Sequence, residues 1–233
     1  MEFIFIVTGI YLLLGAVGMH FGNKKVDVVT AAKRWLKYFT YLLITAFLIA
    51  SILLDFFLPV AVIIVGFGFY EMQRTARAKK FWLALLIYSI AVSGFLFFAY
   101  RFDNRFQFFI YFQVFSFDAF CQITGQLFGR HPITKRISPS KTVEGLLGGI
   151  IICLLSALLG GKQLDLSASV ALCIGLVTSL ASLVGDLSAS FYKRVAGIKD
   201  YSNLLPGQGG FLDRFDSFIM TGFVYSFLSF FIS

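Results

Sequence analysis

The sequence of 233 residues is poor in charge, in cysteine and in proline. Only 14% of the residues are charged, whereas soluble domains carry roughly 25%. Hydrophobic residues make up 58% of the chain, and the mean hydropathy is +0.85. A soluble fold could not bury this much apolar surface, so the composition predicts that lipid surrounds the chain. Acidic residues are scarcer than basic ones, and the net charge of +8 favours contact with anionic lipid over binding of nucleic acid.

The three cysteines and several missing motifs argue against further classes of protein. Cys121, Cys153 and Cys173 lie inside apolar stretches, and no CxxC pair occurs. Three cysteines fit no disulfide framework, and the chain contains neither the ligand spacing of a zinc site nor an RNA-binding signature. We therefore interpret the cysteines as small hydrophobic side chains.

The dominant feature of the sequence is a series of apolar runs separated by polar breaks. A membrane-spanning helix needs about 20 residues, and the runs predict an all-α, polytopic integral membrane bundle with about eight transmembrane helices. We expect a single domain, 1–233, with N-terminal helices in 1–105 and catalytic helices and loops in 106–233. The predicted helices are 3–19, 36–54, 56–70, 81–100, 106–128, 143–160, 166–185 and 215–232.

Two of the predicted helices are unusual. The first, 3–19, has no basic region before it and no small-residue cleavage site after it, so we interpret it as a retained span and not as a signal peptide. The third, 56–70, is short and has Pro59 near its start. It is predicted either to be a kinked partner of helix 36–54 or to form one re-entrant unit with it.

The distribution of lysine and arginine predicts the topology. With eight spans and the N-terminus outside, sixteen basic residues fall in cytoplasmic breaks and three in breaks on the opposite side, as the positive-inside rule requires. The three are Arg101, Arg105 and Lys162. The sixteen are Lys24, Lys25, Lys33, Arg34, Arg74, Arg77, Lys79, Lys80, Arg130, Lys135, Arg136, Lys141, Lys193, Arg194, Lys199 and Arg214. Both termini should then lie outside, and the two longest polar breaks, 129–142 and 186–214, should be cytoplasmic loops that carry the function.

A polar stripe interrupts the phenylalanine-rich helix 106–128. Polar or small residues that are four, three and four positions apart share one helical face, and this stripe consists of Asp118, Gln122, Gly125 and Gly129. An Asp inside a spanning helix costs roughly 2.5–3.5 kcal/mol on insertion, so the stripe is expected to face the bundle interior. It is either part of a binding site or a set of hydrogen bonds between helices.

The first long polar break ends in a group of hydroxyls and charges. These residues are Ser138, Ser140, Lys141, Thr142 and Glu144. Hydroxyls, an ammonium group and the free N–H groups of a helix N-terminus can surround a phosphate. The GxxxxGK[ST] pattern of a P-loop is absent, however. The loop is therefore a candidate phosphate site or an ordinary basic turn with a Ser or Thr cap.

The second long polar break concentrates carboxylates, cations and glycines. Two sets share a helical face by their spacing, Asp186 with Ser190 and Lys193, and Asp213 with Asp216. The glycines at 207, 209 and 210 allow the backbone to approach a ligand closely. Carboxylates that face cations at a membrane surface predict a Mg²⁺-bridged polyphosphate, because Mg²⁺ takes one or two carboxylates together with phosphate oxygens. The alternative is a network of paired charges that anchors helix ends.

The segment 190–217 resembles the signature of the phosphatidate cytidylyltransferases, also called CDP-diacylglycerol synthases. The family pattern is Ser-x-apolar-Lys-Arg, then Lys-Asp, a Pro-x-His-Gly-Gly turn and Asp-Arg-x-Asp. The matching residues are Ser190, Lys193, Arg194, Lys199, Asp200, Pro206, Gly209, Gly210, Asp213, Arg214 and Asp216. The segment 137–145, Asp118 and the pair Gly185–Asp186 also fit, so the resemblance covers 118–217. Two positions depart from it, since Gln208 stands where the family has His and Ala189 where many members have an acidic residue.

The resemblance implies an enzyme that condenses CTP with phosphatidate to give CDP-diacylglycerol and pyrophosphate. It implies Mg²⁺ as cofactor, and a second cation would clamp both the attacking and the leaving oxygen. The implied metal ligands are Asp186 and Asp213, with Asp216 a third ligand or a partner of those two. The implied catalytic residues are Lys193, Arg194, Lys199, Asp200 and Arg214. The implied substrate-binding residues are Asp118, Ser138, Ser140, Lys141, Thr142, Glu144, Ser190, Gln208, Gly209 and Gly210.

The glutamine at position 208 leaves alternatives open. Glutamine cannot exchange a proton near neutrality as histidine does, but the phosphate of phosphatidate is already anionic, so activity is expected to survive. The alternatives are a cytidylyltransferase for another lipid phosphate, a CTP-dependent lipid kinase similar to the polyprenol kinases, and a catalytically silent lipid-binding relative. We expect a multi-pass protein of the bacterial inner membrane with a cytoplasmic active site, and the resemblance suggests a homodimer.

Overall fold

The computed structural model describes residues 26–232 without a break, and before them only residues 9, 10, 12, 13, 16, 17, 19, 20 and 23. The predicted first span, 3–19, therefore falls mostly outside the described residues. So does the predicted position of the N-terminus.

From residue 28 onward the chain forms seven α-helices and one β-hairpin. The helices are α1 (Val28–Leu53), α2 (Phe57–Gln73), α3 (Phe81–Arg101), α4 (Asn104–Phe128), α5 (Val143–Gly161), α6 (Ala168–Val195) and α7 (Leu212–Ile232). The strands β1 (Pro132–Thr134) and β2 (Ser138–Thr142) pair antiparallel between α4 and α5. A short 3-10 helix, Lys162–Leu164, follows α5.

This architecture confirms the predicted helical membrane bundle. Four segments among the described residues are long and apolar enough to cross a membrane, namely Val28–Leu53, Phe81–Arg101, Val143–Leu164 and Ala168–Val195. The short apolar helix predicted after residue 56 is α2, which has 17 residues. The protein is therefore a multi-pass membrane protein.

Two helices are longer than the apolar runs that predicted them. α1 begins at Val28 and not at residue 36, and α6 ends at Val195 and not at residue 185. In both cases the extra turns carry lysine and arginine, which are good helix formers, so the helix continues beyond its apolar part. The predicted cytoplasmic loop 129–142 is also more regular than expected, because it contains the β-hairpin.

Side-chain caps define where several helices begin. Asp27 accepts a hydrogen bond from the N–H of Thr30 at the start of α1, and Asp103 accepts two at the start of α4. Thr142 caps α5 and Ser167 caps α6. Such oxygens satisfy N–H groups that have no partner inside the helix.

The core that holds α7 in place is built from aromatic rings. The ring of Phe218 in α7 lies 5.8 Å from Phe57 of α2, 5.3 Å from Phe95 of α3 and 5.2 Å from Tyr111 of α4, measured between ring centroids. Because lipid is as apolar as these rings, they stabilise the bundle through close packing and edge-to-face contacts. They fix the first turns of α7 against three other helices.

Glycine allows α6 and α7 to approach each other closely. A Cβ atom at Gly185 would lie 2.6 Å from the backbone oxygen of Asp216 and 2.8 Å from Cβ of Met220. No side chain fits into that space. The contact brings the neighbouring Asp186 of α6 next to Asp216 of α7.

Candidate active site

Four carboxylates gather at the end of the bundle that carries the β-hairpin, which we call the hairpin end. They are Asp118 from α4, Asp186 from α6, and Asp213 and Asp216 from the first turns of α7, and we call them the carboxylate cluster. Asp118 lies within electrostatic range of Asp186 and Asp216, and Asp216 within range of Asp186 and Lys193. Three of these carboxylates, Asp186, Asp213 and Asp216, were predicted from the sequence to converge, and Asp118 lies at the same end of the bundle.

The carboxylate of Asp213 is buried, and both of its oxygens accept hydrogen bonds. Its Oδ1 accepts a hydrogen bond from Nζ of Lys193 at 2.7 Å, and only 2% of the Asp213 side chain is exposed. Its Oδ2 accepts hydrogen bonds from the backbone N–H groups of Tyr201, at 2.9 Å, and Gly210, at 2.8 Å. Asp213 therefore joins α6, the loop after α6 and the start of α7, and its predicted role as a metal ligand stays a prediction.

Asp186 connects the hairpin to α6. It forms an ion pair with Lys141 of β2, and the hydroxyl of Ser190 donates to its Oδ1 at 3.3 Å. The residues predicted to share one face of α6 therefore have different partners, since Ser190 hydrogen-bonds to Asp186 while Lys193 hydrogen-bonds to Asp213 on α7. Lys141, predicted from the other long polar break, does reach the same site.

The remaining two carboxylates have few partners of their own. Asp216 Oδ1 accepts from the backbone N–H of Ser217 at 2.7 Å, and the Ser217 hydroxyl donates to the backbone oxygen of Ser182 at 3.3 Å. Four carboxylates thus face the two ammonium groups that pair with them, those of Lys141 and Lys193. An excess of negative charge in a partly buried place is unfavourable unless a cation compensates it.

Tyr201 covers the cluster from the loop between α6 and α7. Its ring lies 5.6 Å from Nζ of Lys193, and its side chain is buried. Burial raises the pKa of the Tyr201 hydroxyl above its ordinary value, and the charges of Asp216 and Asp213 raise it further. Tyr201 is therefore a neutral hydroxyl at physiological pH.

The donor set suits a magnesium ion that binds together with phosphates. In the described part of the chain, no group of three or more His, Cys, Asp or Glu side chains is placed so that it could hold a metal ion. Mg²⁺ in nucleotide sites takes one or two carboxylates and fills its other positions with water and phosphate oxygens. Asp118, Asp186 and Asp216 lie within electrostatic range of one another, so one or two of their carboxylates fit the share that the protein contributes to such a site.

Glu71 is a buried carboxylate that the sequence analysis missed. It lies in the last turn of α2 and has no exposed surface. It accepts hydrogen bonds from the hydroxyl of Ser202 at 2.5 Å and from the backbone N–H groups of Phe211, at 2.9 Å, and Leu212, at 2.8 Å. Glu71 therefore caps the start of α7, just before Asp213. The only sequence signal was a lone acidic residue at the end of an apolar helix.

The glycine turn before α7 packs against carboxylates. Gly209 has φ +86°, and a Cβ atom there would lie 3.0 Å from Oδ2 of Asp213. A Cβ atom on Gly210 would lie 2.7 Å from the carboxylate carbon of Glu71. Both glycines are thus required for packing, and the phosphate contact predicted for this turn stays a prediction.

Gln208 points away from the carboxylate cluster. Its side chain is 5% exposed, and its Nε2 donates to the backbone oxygen of Lys37 in α1 at 2.8 Å. This hydrogen bond attaches the glycine turn to α1 and not to a carboxylate of the cluster. Lys37 itself lies within electrostatic range of Arg214, Lys199 and Asp200. The N-terminal half of the chain therefore contributes a cation to a second charged group beside the cluster, which the sequence analysis did not predict.

The other predicted site residues lie around the hairpin. Glu144 accepts hydrogen bonds from the backbone N–H groups of Arg130 and His131 and pairs with the His131 ring at 2.6 Å. Arg194 is exposed and donates to the backbone oxygens of Ile137 and Ile198. These contacts close the loop and fasten it to α6. Ser138 and Ser140 lie on β2, and Thr142 caps α5.

The predicted polar stripe on α4 is confirmed in part. Gly125 and Gly129 both face Thr142. A Cβ atom added to Gly125 would lie 3.2 Å from the hydroxyl oxygen of Thr142, and one added to Gly129 would lie 2.7 Å from it. Gln122, by contrast, is exposed. The stripe therefore serves mainly as the contact between α4 and the start of α5, with Asp118 at its inner end.

Comparison with known proteins identifies relatives of this sequence. Phosphatidate cytidylyltransferase 4, chloroplastic, from Arabidopsis thaliana is 43% identical over 114 residues, which are 48% of this chain and 29% of that protein. The phosphatidate cytidylyltransferase of Staphylococcus epidermidis is 34% identical over 167 residues, 67% of this chain and 64% of that protein. The one from Staphylococcus saprophyticus is 38% identical over 143 residues, 58% of this chain and 55% of that protein. The matches thus span less than two thirds of the length of each of these relatives. A family model described as "Cytidylyltransferase family" matches residues 3–231, and the chain therefore belongs to the cytidylyltransferase family.

Proposed function

We propose that this protein is a CTP:phosphatidate cytidylyltransferase, which joins CTP to phosphatidate and releases pyrophosphate. The observation that carries the proposal is the carboxylate cluster with Lys141 and Lys193 at one end of an apolar bundle. A reaction between a soluble triphosphate and a membrane lipid needs a polar, charged site at the edge of the membrane. Membership of the cytidylyltransferase family supports the choice of reaction.

The proposed reaction needs positioning and charge neutralisation more than acid–base chemistry. An oxygen of the phosphatidate phosphate forms a bond to the α-phosphorus of CTP, and the bond from that phosphorus to pyrophosphate breaks. The attacking phosphate is anionic already, so no proton has to be removed. Negative charge develops on the leaving pyrophosphate, and fixed cations stabilise it. Lys199, Arg214 and Lys37 form a group suited to this task.

The carboxylates are proposed to hold Mg²⁺. Asp186 and Asp213 were predicted as ligands, with Asp216 a third ligand or a partner of those two. Both oxygens of Asp213 already accept hydrogen bonds, so we assign the metal contacts to Asp186 and Asp216. When bound, the ion would neutralise phosphate charge and orient the phosphates. A second cation belongs to the same proposal. The ammonium group of Lys141 pairs with Asp186. We propose that it turns to a phosphate when the nucleotide binds beside Asp186.

The finer topology is also part of the proposal. We propose eight spans, a homodimer, and an active site on the cytoplasmic face of a bacterial inner membrane. The distribution of charge supports the orientation, because the lysines and arginines around the carboxylate cluster share the hairpin end. Arg101 and Arg105 line a polar cavity with Asp55 and Asp165 at the other end. This is the asymmetry that the positive-inside rule requires.

The direct test is product analysis with purified protein. Wild type, Asp216→Asn and the control Asp165→Asn are incubated with labelled CTP, Mg²⁺ and phosphatidate in detergent micelles. Asp165 lies at the opposite end with φ 54°, a conformation that asparagine tolerates equally well. We expect a CDP-lipid from wild type and from the control, and at least a hundredfold less from Asp216→Asn, since losing one group that stabilises developing charge typically costs about 10²–10³ in rate.

The same assay distinguishes the alternatives. Release of labelled CDP without a CDP-lipid would indicate a CTP-dependent lipid kinase. A CDP-lipid formed only from a different lipid phosphate would indicate another cytidylyltransferase. Binding of CTP without any product from any lipid phosphate would indicate a catalytically silent relative and would refute the proposal.

A further inference from the structure

The glycine turn before α7 contacts Lys37 of α1 through Gly207 and Gln208. Nε2 of Gln208 donates to the backbone oxygen of Lys37 at 2.8 Å, and the Gln208 side chain is 5% exposed. Gly207 has φ +70°, and a Cβ atom added to it would lie 3.2 Å from Cβ and 3.4 Å from Cα of Lys37. The turn is closed internally, since the N–H of Leu205 donates to the oxygen of Gly209 and the N–H of Gln208 to that of Leu205. The position of Lys37 is therefore tied to a turn that leads directly into α7.

Lys37 belongs to a group of cations that lack acidic partners of their own. It lies within electrostatic range of Lys199, Arg214 and Asp200, so three cations lie near one carboxylate. Between described residues, no ion pair involves any of these three cations. Lys37 is also exposed, so its ammonium group is accessible from water. Such a group is suited to a polyphosphate, which supplies the negative charge that the protein does not.

Position 208 uses the N–H end of its side chain. The amide oxygen of Gln208 is buried and has no hydrogen-bond partner in the described part of the chain, so the donor end makes the hydrogen bond to α1. The imidazole ring of histidine also offers an N–H donor. Gln208 and the His of the family pattern can therefore perform the same task, and this task needs no exchange of a proton.

We infer that Gln208 is a positioning residue, which holds Lys37 beside Lys199 and Arg214 so that these cations stabilise the leaving pyrophosphate in the transition state. The inference rests on the proposed function and deepens it. Gln208 itself touches neither substrate nor metal ion and acts through Lys37. The N-terminal helices then take part in catalysis, although the sequence analysis placed the catalytic helices and loops in 106–233.

The test is a double-mutant cycle between Gln208 and Lys37. Gln208→Met keeps an unbranched side chain of similar size and removes the N–H donor, whereas Lys37→Met removes the charge. With CTP, Mg²⁺ and phosphatidate in mixed micelles, we expect kcat to fall about tenfold for Gln208→Met and about a hundredfold for Lys37→Met, since a group that stabilises developing charge is typically worth about 10²–10³ in rate. KM for CTP should stay near that of wild type in Gln208→Met. The double variant should be no slower than Lys37→Met, because residues that act through one another are not additive.

Two controls separate positioning from a general loss of packing. Gln208→His restores an N–H donor and should recover most of the kcat that Gln208→Met loses. Lys162→Met removes an exposed cation at the opposite end of the bundle, beside Gln163 of the polar cavity, and should leave kcat near that of wild type. Additive losses for Gln208→Met and Lys37→Met, or a Gln208→His variant as slow as Gln208→Met, would overturn the inference. The proposed function would still stand if wild type forms the CDP-lipid.

Amide hydrogen exchange tests the link to α1 without any reaction. The N–H groups of Leu205 and Gln208 are hydrogen-bonded within the turn. They should exchange faster in Gln208→Met but not in Gln208→His or in Lys37→Met, which keeps the backbone acceptor. This pattern in a protein that forms no CDP-lipid would refute the proposed reaction and support the link between the turn and α1. Exchange at the wild-type rate in Gln208→Met would overturn the link, whatever the activity.

Discussion

Glu71 offers the sharpest test of how the site is held together. Its two oxygens accept hydrogen bonds from three donors, and two of these donors are the N–H groups of Phe211 and Leu212 at the start of α7. In Glu71→Gln one oxygen becomes an NH₂ group, which cannot accept a hydrogen bond. At least one buried N–H group then loses its partner and faces another donor.

The size of the effect follows from the buried position. A hydrogen bond to a charged group contributes about 1.5–3 kcal/mol, and an unsatisfied buried donor costs about 1–3 kcal/mol. Glu71 has no exposed surface, so water cannot replace the missing acceptor. We expect Glu71→Gln to lower the free energy of unfolding by about 2–3 kcal/mol. Because Asp213 and Asp216 follow in the next turn of α7, kcat should fall more than KM for CTP changes.

The matched control is Glu144→Gln. Glu144 also accepts two backbone N–H groups, but it lies at the surface, with 27% of its side chain exposed. Its replacement should lower the stability much less than that of Glu71, since water can take over the hydrogen bonds. Unfolding is followed by denaturant titration in detergent micelles, and turnover by CDP-lipid formation. A Glu71→Gln variant as stable as Glu144→Gln and as active as wild type would refute the assignment of Glu71 as the cap of α7.

Two further substitutions test the packing around the site. Gly185→Ala should strongly reduce CDP-lipid formation and destabilise the protein by about 1–3 kcal/mol, because the new Cβ atom would clash with the backbone of Asp216. The control is Gly66→Ala, which should keep full activity because no atom lies within 4 Å of the added Cβ. Gln208→Ala should lower the unfolding free energy by about 1 kcal/mol through loss of the bond to the Lys37 backbone, while KM for CTP stays near that of wild type. A large rise in KM for CTP with unchanged stability would instead place Gln208 in the nucleotide site.

Hydropathy and charge predicted the general architecture because the membrane imposes strong constraints on length and composition. The helical bundle, the short α2 and the grouping of polar residues at one end all follow from such patterns. The boundaries did not, since hydropathy marks the apolar part of α1 and α6 and not the last hydrogen-bonded turn. The hairpin was missed because strands of three and five residues leave almost no periodic signal.

Spacing along a helix predicted which residues meet at the site but not how they pair. Asp186, Ser190 and Lys193 share a face of α6, yet Lys193 reaches across to Asp213 while Asp186 takes Lys141 from the hairpin. Such pairing depends on how helices are placed relative to one another. Glu71 and Lys37 were missed for the same reason, because both belong to the N-terminal helices and meet the site only through tertiary contacts.

The β-hairpin that delivers Lys141 is too small to be stable by itself. An isolated pair of short strands is marginally stable at best in water, so its order depends on two anchors to α6, the Lys141–Asp186 ion pair and the hydrogen bond from Arg194 to Ile137. A phosphate that draws Lys141 away from Asp186 would release one of these anchors. If the proposed nucleotide binds in this way, the hairpin would loosen at the same moment, and amide hydrogen exchange in its two strands would become faster.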